Sequence, residues 1–231
     1  MMKKKILSLC LAAVVAALAV FGASLAYFTD TDRTDNVFTV GNVDISLKEN
    51  FGQNAKLLPT TGKKPDGSGL NENGVVKEVD ITNAGSEDAW VRVHIAIPQI
   101  LDDGAESFDA SNNVLHFNYT EESLNWWSWK KTDSGLLNYY ETQIDGVTYN
   151  VYVVTYKNIL ASGETTADHA MHQVYLDKSV TNTDVSAISE LLGENWEIKV
   201  VAEGVQAGGF DNAYTALDTA FGAVGTYNPF Q

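Results

Sequence analysis

Cysteine and positive charge are both scarce in this sequence: one Cys, four Pro, and 15 Lys+Arg against 30 Asp+Glu in 231 residues. A lone thiol, Cys10, excludes an intramolecular disulfide framework and any Cys-cluster zinc or iron–sulfur site. A formal net charge of −15 excludes the usual nucleic-acid binder, because phosphate backbones are held by Lys and Arg. It also opposes docking on anionic lipid. No H-E-x-x-H and no G-x-S-x-G occurs, and no Gly-rich loop is followed by Lys-Ser/Thr. What the chain does have is 45% hydrophobic and 10% aromatic residues, enough to bury a core and too many for global disorder. Its length fits one domain, or two at most.

The N-terminus has the three parts of a secretory signal. Lys3, Lys4 and Lys5 precede an almost wholly apolar run from Ile6 to Leu25, and Ser24 and Ala26 place small residues at −3 and −1 of a cut before Tyr27. A retained anchor is the rival reading, since about 20 apolar residues can span a bilayer. The polar stretch that follows favours cleavage. Residues 1–26 are thus expected to leave a single domain, 27–231, without its cysteine. Three Lys and no acid leave with the signal, so −15 becomes −18. A hydrophobic core or self-association must then hold the domain together.

The rest reads as strands. Apolar and polar residues alternate over Val43–Leu47, Val75–Asn83 and Trp90–Ile97, where Val91, Val93, Ile95 and Ile97 share a face opposite Arg92 and His94. Pro98 should end that ladder. Asp145-Gly146 between β-prone runs predicts a two-residue hairpin turn within Tyr139–Tyr156. Further strands are expected near Leu115–Tyr119, Trp126–Lys130, Ala170–Leu176 and Trp196–Ala202. Two short helices are expected: Val185–Leu192 capped by Asp184, and Ala213–Phe221 capped by Asp211 or Asn212. Gly193 and Gly222 end them. Residues 50–74, rich in Gly, Asn, Lys and Pro, read as an exposed excursion. Many short strands with few helices predict an all-β, antiparallel, jelly-roll-like sandwich.

Candidate chemistry is sparse. His169 and His172 form an H-x-x-H pair, but i and i+3 point to opposite faces of a strand, so no convergence, no metal and no cofactor are expected. No catalytic residue is assigned. Asp30, Asp32 and Asp35 resemble the start of a calcium loop without its Gly and distal Glu, and read as a solvated acidic segment. The glycines of 204–209 read as a strand-to-helix turn. Trp126, Trp127 and Trp129 suit core or self-assembly packing better than a sugar-binding face.

The run Ala26-Tyr27-Phe28-Thr29-Asp30, then Asn36-Val37-Phe38-Thr39-Val40-Gly41-Asn42-Val43-Asp44-Ile45-Ser46-Leu47, resembles the camelysin/TasA family. So do Asn83-Ala84-Gly85-Ser86 before Trp90-Val91-Arg92-Val93, and the run from Ala202 to Phe210. The middle, about 100–195, is similar only loosely. The resemblance implies export from a Gram-positive bacterium, cleavage by an ER-type signal peptidase, a jelly roll, and fibres of the biofilm matrix. In such fibres the N-terminal strand of one subunit completes the next subunit's sheet. Some members carry a zinc metallopeptidase label, which the missing zinc-hydrolase motif keeps from this chain.

The expected function is therefore a secreted structural subunit that assembles by β-augmentation. Residues 27–40 would be the donor, with Tyr27, Phe28, Val37, Phe38 and Val40 as anchors. Its partners would be copies of itself and other matrix components, with a signal peptidase during export and no nucleic acid. The alternatives are a secreted zinc metallo-endopeptidase and a monomeric surface or carbohydrate-binding module. N-terminal sequencing of secreted protein should begin Tyr-Phe-Thr-Asp, and a secreted form retaining Lys3–Lys5 would contradict the cut at Ser24-Leu25-Ala26.

Overall fold

The computed structural model describes residues 29–32, 43–51, 57–102, 114–118, 121–131, 136–193 and 196–231. It contains two antiparallel sheets. The first has the order β1 (Thr29–Asp32), β10 (Lys199–Gln206), β4 (Ala89–Pro98), β8 (Val147–Tyr156) and β6 (Trp127–Ser128), with β7 (Tyr139–Ile144) also pairing with β8. The second has the order β2 (Ile45–Phe51), β3 (Val75–Asn83), β9 (Gln173–Leu176) and β5 (Leu115–Asn118). Three short helices complete it: α1 (Glu121–Trp126), α2 (Asn182–Leu192) and α3 (Ala213–Phe221). The expected all-β class is what the chain adopts.

The inner faces of both sheets share one core. Val79 and Ile81 of β3, Val174 of β9 and Phe117 of β5 pack with Val91, Val93, Ile95 and Ile97 of β4 and with Tyr152 and Val154 of β8. Period-two alternation thus places β3 and β4 as expected. The hairpin turns where the sequence asked: Asp145 has φ 52° and Gly146 φ 82°, the left-handed pair of a tight two-residue turn. Trp127 and Trp129 lie in the same core, Trp129 stacked 5.4 Å from Phe117, which removes both from any exposed sugar-binding face.

The outer face of the first sheet is not open to water. Trp90 and Val205 pack under Ala213, Ala216 and Leu217 of α3, while Ala96, Ile144, Tyr149 and Val151 pack with Phe230. The C-terminal segment therefore caps this sheet, and every residue of β4 is buried.

Some local expectations shift. Thr181, not Asp184, caps α2: a Thr-x-x-Asp box has Asp184 Oδ2 accept from Thr181 N at 2.7 Å while Thr181 Oγ1 accepts from Asp184 N. Asn212 caps α3 as read. The strand expected at Trp126 begins one residue later, after α1, and is only two residues long. Pro98 ends β4 as expected, and a 3-10 turn, Gln99–Leu101, follows. Within the 50–74 excursion, Lys63 bridges Asn71 in a small antiparallel loop.

Gly204 corrects the reading of 204–209 as one turn, because it lies inside β10. A Cβ there would sit 2.7 Å from Ile45 Cγ2, so the missing side chain lets β2 close over β10. Gly209, with φ 90°, makes the turn. Gly204→Ala should destabilise the fold by about 1–3 kcal/mol, the usual cost of overpacking. Urea unfolding measures it, and an unchanged midpoint would contradict the close approach.

Candidate functional site

Two places collect more than packing. The first is β10. On one side β4 pairs with it along its whole length, from Lys199↔Ala96 to Gln206↔Ala89. On the other side, among the described residues, β1 alone pairs with it: Thr29↔Val205, Asp30↔Gly204, Thr31↔Glu203 and Asp32↔Ala202. The N-terminal segment thus adds a strand to an edge that would otherwise present unpaired N–H and C=O groups. All five expected anchors, Tyr27, Phe28, Val37, Phe38 and Val40, lie outside the described residues, as do the cleavage residues Ser24 and Ala26.

Beneath this edge lies a buried charge network. Arg92 Nε donates to Glu203 Oε2 at 2.7 Å, and Arg92 Nη1 donates to Asp218 Oδ1 of α3 at 2.7 Å. Arg92 Nη2 donates to the Tyr227 hydroxyl at 2.8 Å and to Gly222 O at 3.3 Å. The Tyr227 hydroxyl itself donates to both Glu203 oxygens, at 2.6 and 2.7 Å. His94 Nε2 stands 3.1 Å from Glu203 Oε2, and the Tyr140 hydroxyl is 3.5 Å from His94 Nδ1. Arg92, Glu203 and His94 are at most 2% exposed. Alternation put Arg92 and His94 on the face opposite the core. It could not reveal that α3 and the C-terminal tail cover that face.

Burial opposes ionisation of Glu203, but His94, Arg92 and Tyr227 outweigh it and hold the carboxyl down at about 2. Burial pushes His94 below its ordinary value against the pull of Glu203. A neutral imidazole then donates from Nε2 to Glu203 and accepts at Nδ1 from Tyr140. Burial and the Glu203 charge both push the Tyr227 phenol up, so it stays a donor.

The second place is the segment before β9. It follows β3 as a broken ladder: Lys77 N donates to His172 O, Ala170 N to Val79 O, and Thr166 N to Ile81 O. Five residues from Thr166 to Ala170 thus oppose three from Val79 to Ile81, so two extra residues make a bulge. Ala170 and Met171 are both fully buried, and Trp127 Nε1 anchors the bulge by donating to Asp168 O at 2.6 Å. Two consecutive residues turn inward, so the histidines that flank them leave together. Their rings are 5.0 Å apart. This corrects the expectation that His169 and His172 diverge: β9 begins only at Gln173, and the pair lies outside it.

One ligand atom each from Asp168, His169 and His172 lie within 4.8 Å of one another. His172 Nε2 is 3.3 Å from Asp168 Oδ1, too poorly aligned for a hydrogen bond, and is buried with no hydrogen-bond partner. Across from them on β3, Asp80 Oδ2 is 2.8 Å from His169 Nδ1, and Glu78 Oε1 is 3.8 Å from His169 Nε2. Burial holds the His172 imidazole below its ordinary value. Among the described residues, no Lys or Arg pairs with Asp168, Asp80 or Glu78. The sequence signal was the run Asp168-His169-Ala170-Met171-His172, whose two central apolar residues contradict strand alternation.

Residues 1–94 match the family model for camelysin metallo-endopeptidase, in agreement with the resemblance read from the sequence. The match includes β1 to most of β4, with Glu78 and Asp80, and stops short of Asp168, His169 and His172. No curated protein and no solved structure matches the chain.

The charge network predicts a pH response and a mutational one. Glu203 titrates lower in the folded chain than unfolded, so its stabilisation is complete above about 4.5, the ordinary carboxylate value, and is lost as pH falls towards about 2. His94 is also depressed, so its contribution is present above about 6.5 and declines below it. Thermal midpoints should therefore fall steadily from pH 7 to pH 3. Arg92→Met, which strands a buried carboxylate, should cost about 3–5 kcal/mol at pH 7. A flat pH profile together with a neutral Arg92→Met would contradict this network.

Proposed function

We propose that the chain is an exported structural subunit of the cell surface or extracellular matrix, which polymerises by passing its N-terminal segment to a neighbour. The observation that carries this reading is the pairing of β1 with the edge of β10. The same backbone donors and acceptors can be supplied by β1 of another copy, as in strand addition. Exchange conserves those hydrogen bonds, so the balance between closed monomer and chain of subunits depends on concentration and on the tether between β1 and β2. Self-repulsion at a net charge of −15, or −18 after signal removal, opposes association. Added salt screens it and acid neutralises it, so both should speed assembly.

The family match supports this reading only in kind, since its description is of a metallo-endopeptidase. That second reading has the Asp168, His169 and His172 cluster in its favour. It expects chelator-sensitive cleavage of an unstructured protein by the monomer, whereas the structural reading expects none.

Deleting residues 27–40 tests the proposal. The truncated protein should remain a folded monomer, fail to polymerise, and be capped by a peptide of the deleted sequence. Fibres forming normally from it, seen by electron microscopy, would rule out strand exchange through this segment. An unfolded product would place the segment in its own subunit's core.

A further inference from the structure

We infer that Asp168, His169 and His172 bind one divalent transition-metal ion, zinc foremost, and that Asp80 orients His169 for it. This rests on the bulge and its neighbours, independently of the assembly reading. The two histidines lie beyond the residues matched by the family model, so the assignment comes from this chain's own geometry.

Three features converge. The first is spacing. Two ligands of one tetrahedral zinc, each about 2.0–2.1 Å from the metal, stand about 3.4 Å apart. His172 Nε2 and Asp168 Oδ1 are 3.3 Å apart, without the alignment of a hydrogen bond. The second is orientation. With His169 Nδ1 donating to Asp80 Oδ2 at 2.8 Å, the lone pair belongs to Nε2, which is 3.8 Å from Glu78 Oε1. A lone pair that faces a carboxylate needs a positive centre between them, either a proton or a metal ion. A carboxylate bonded to the far nitrogen of a ligating imidazole is the usual outer support of a zinc site. The third is charge. Asp168, Asp80 and Glu78 bring three carboxylates to one patch, and no Lys or Arg among the described residues pairs with them. A divalent cation offsets most of that charge.

Two imidazoles and a carboxylate suit zinc and its neighbours better than calcium or magnesium, which prefer all-oxygen shells. Glu78 at the rim can close the shell or leave a position for water. In either case the ion would tie the bulge at 167–169 to the outer face of β3, which the present backbone bonds secure only intermittently.

The test uses the untagged full chain and Zn2+ alone. Titration calorimetry should show one equivalent bound, and zinc should raise the thermal midpoint. His169→Ala and His172→Ala should each lose stoichiometric binding, while His116→Ala, on the neighbouring β5 where its imidazole meets Asp177 rather than the cluster, keeps it. Asp80→Asn should weaken affinity about 10- to 100-fold without abolishing it, as expected of a positioning residue. Circular dichroism of the metal-free variants checks that they fold. If the alanine variants do not fold, X-ray absorption of the zinc-loaded wild-type chain decides, and two imidazoles per zinc are expected. No zinc uptake, uptake undiminished in folded His169→Ala/His172→Ala, or a zinc shell without imidazole would overturn the assignment.

Discussion

Glu203 cannot be buried without Arg92, and Arg92 cannot be buried without the C-terminal segment. A carboxylate at 1% exposure and a guanidinium at 2% carry a desolvation cost that only several well-placed hydrogen bonds can offset. Those bonds come from three elements, of which β4 is remote in sequence from the other two. β4 supplies Arg92 and His94, β10 supplies Glu203, and the region around α3 supplies Asp218, Gly222 O and Tyr227. The network thus fixes how α3 and the tail lie on the first sheet. Such a network adds little net stability over an apolar equivalent, but it punishes any arrangement that separates the partners.

The consequence is that β10 is rigid on two of its three free surfaces. Its inner face closes the core through Val200 and Ala202, and its outer face is locked by Glu203. The edge away from β4 is completed by β1, the segment that the proposed exchange would pass to a neighbour. A sheet edge held in shape whether or not it is occupied is a preorganised acceptor, and preorganisation lowers the entropic cost of taking a strand from another copy. The second sheet answers a different need. There the bulge before β9 breaks an otherwise regular ladder and sets two half-buried imidazoles side by side.

Much of this was legible in the sequence where local rules act alone. Val75–Asn83 alternates because one face meets the core, and β3 has those bounds. Asp145-Gly146 supplies positive φ, and the hairpin turns there. Asn212 and Gly222 bracket α3. What escaped depends on contacts between distant segments. Arg92 and His94 look solvent-facing until α3 covers them. Trp126 leads a strand-like run yet ends a helix, since pairing partners rather than propensity decide so short a stretch. The divergence expected of His169 and His172 assumed a continuous strand. The bulge removes that premise, because Ala170 and Met171 both turn into the core.

Inter-subunit cross-linking tests the central claim most directly. Thr29 lies opposite Val205 in the β1–β10 register, and Cys10 is the chain's sole cysteine. Two populations are mixed under assembly conditions, both with Cys10→Ser, one carrying Thr29→Cys and the other Val205→Cys. The account predicts a disulfide between unlike subunits, formed only as fibres grow and extending no further than pairs. Fibres that grow with no such link, while the doubly substituted chain readily closes the link within itself, would contradict it.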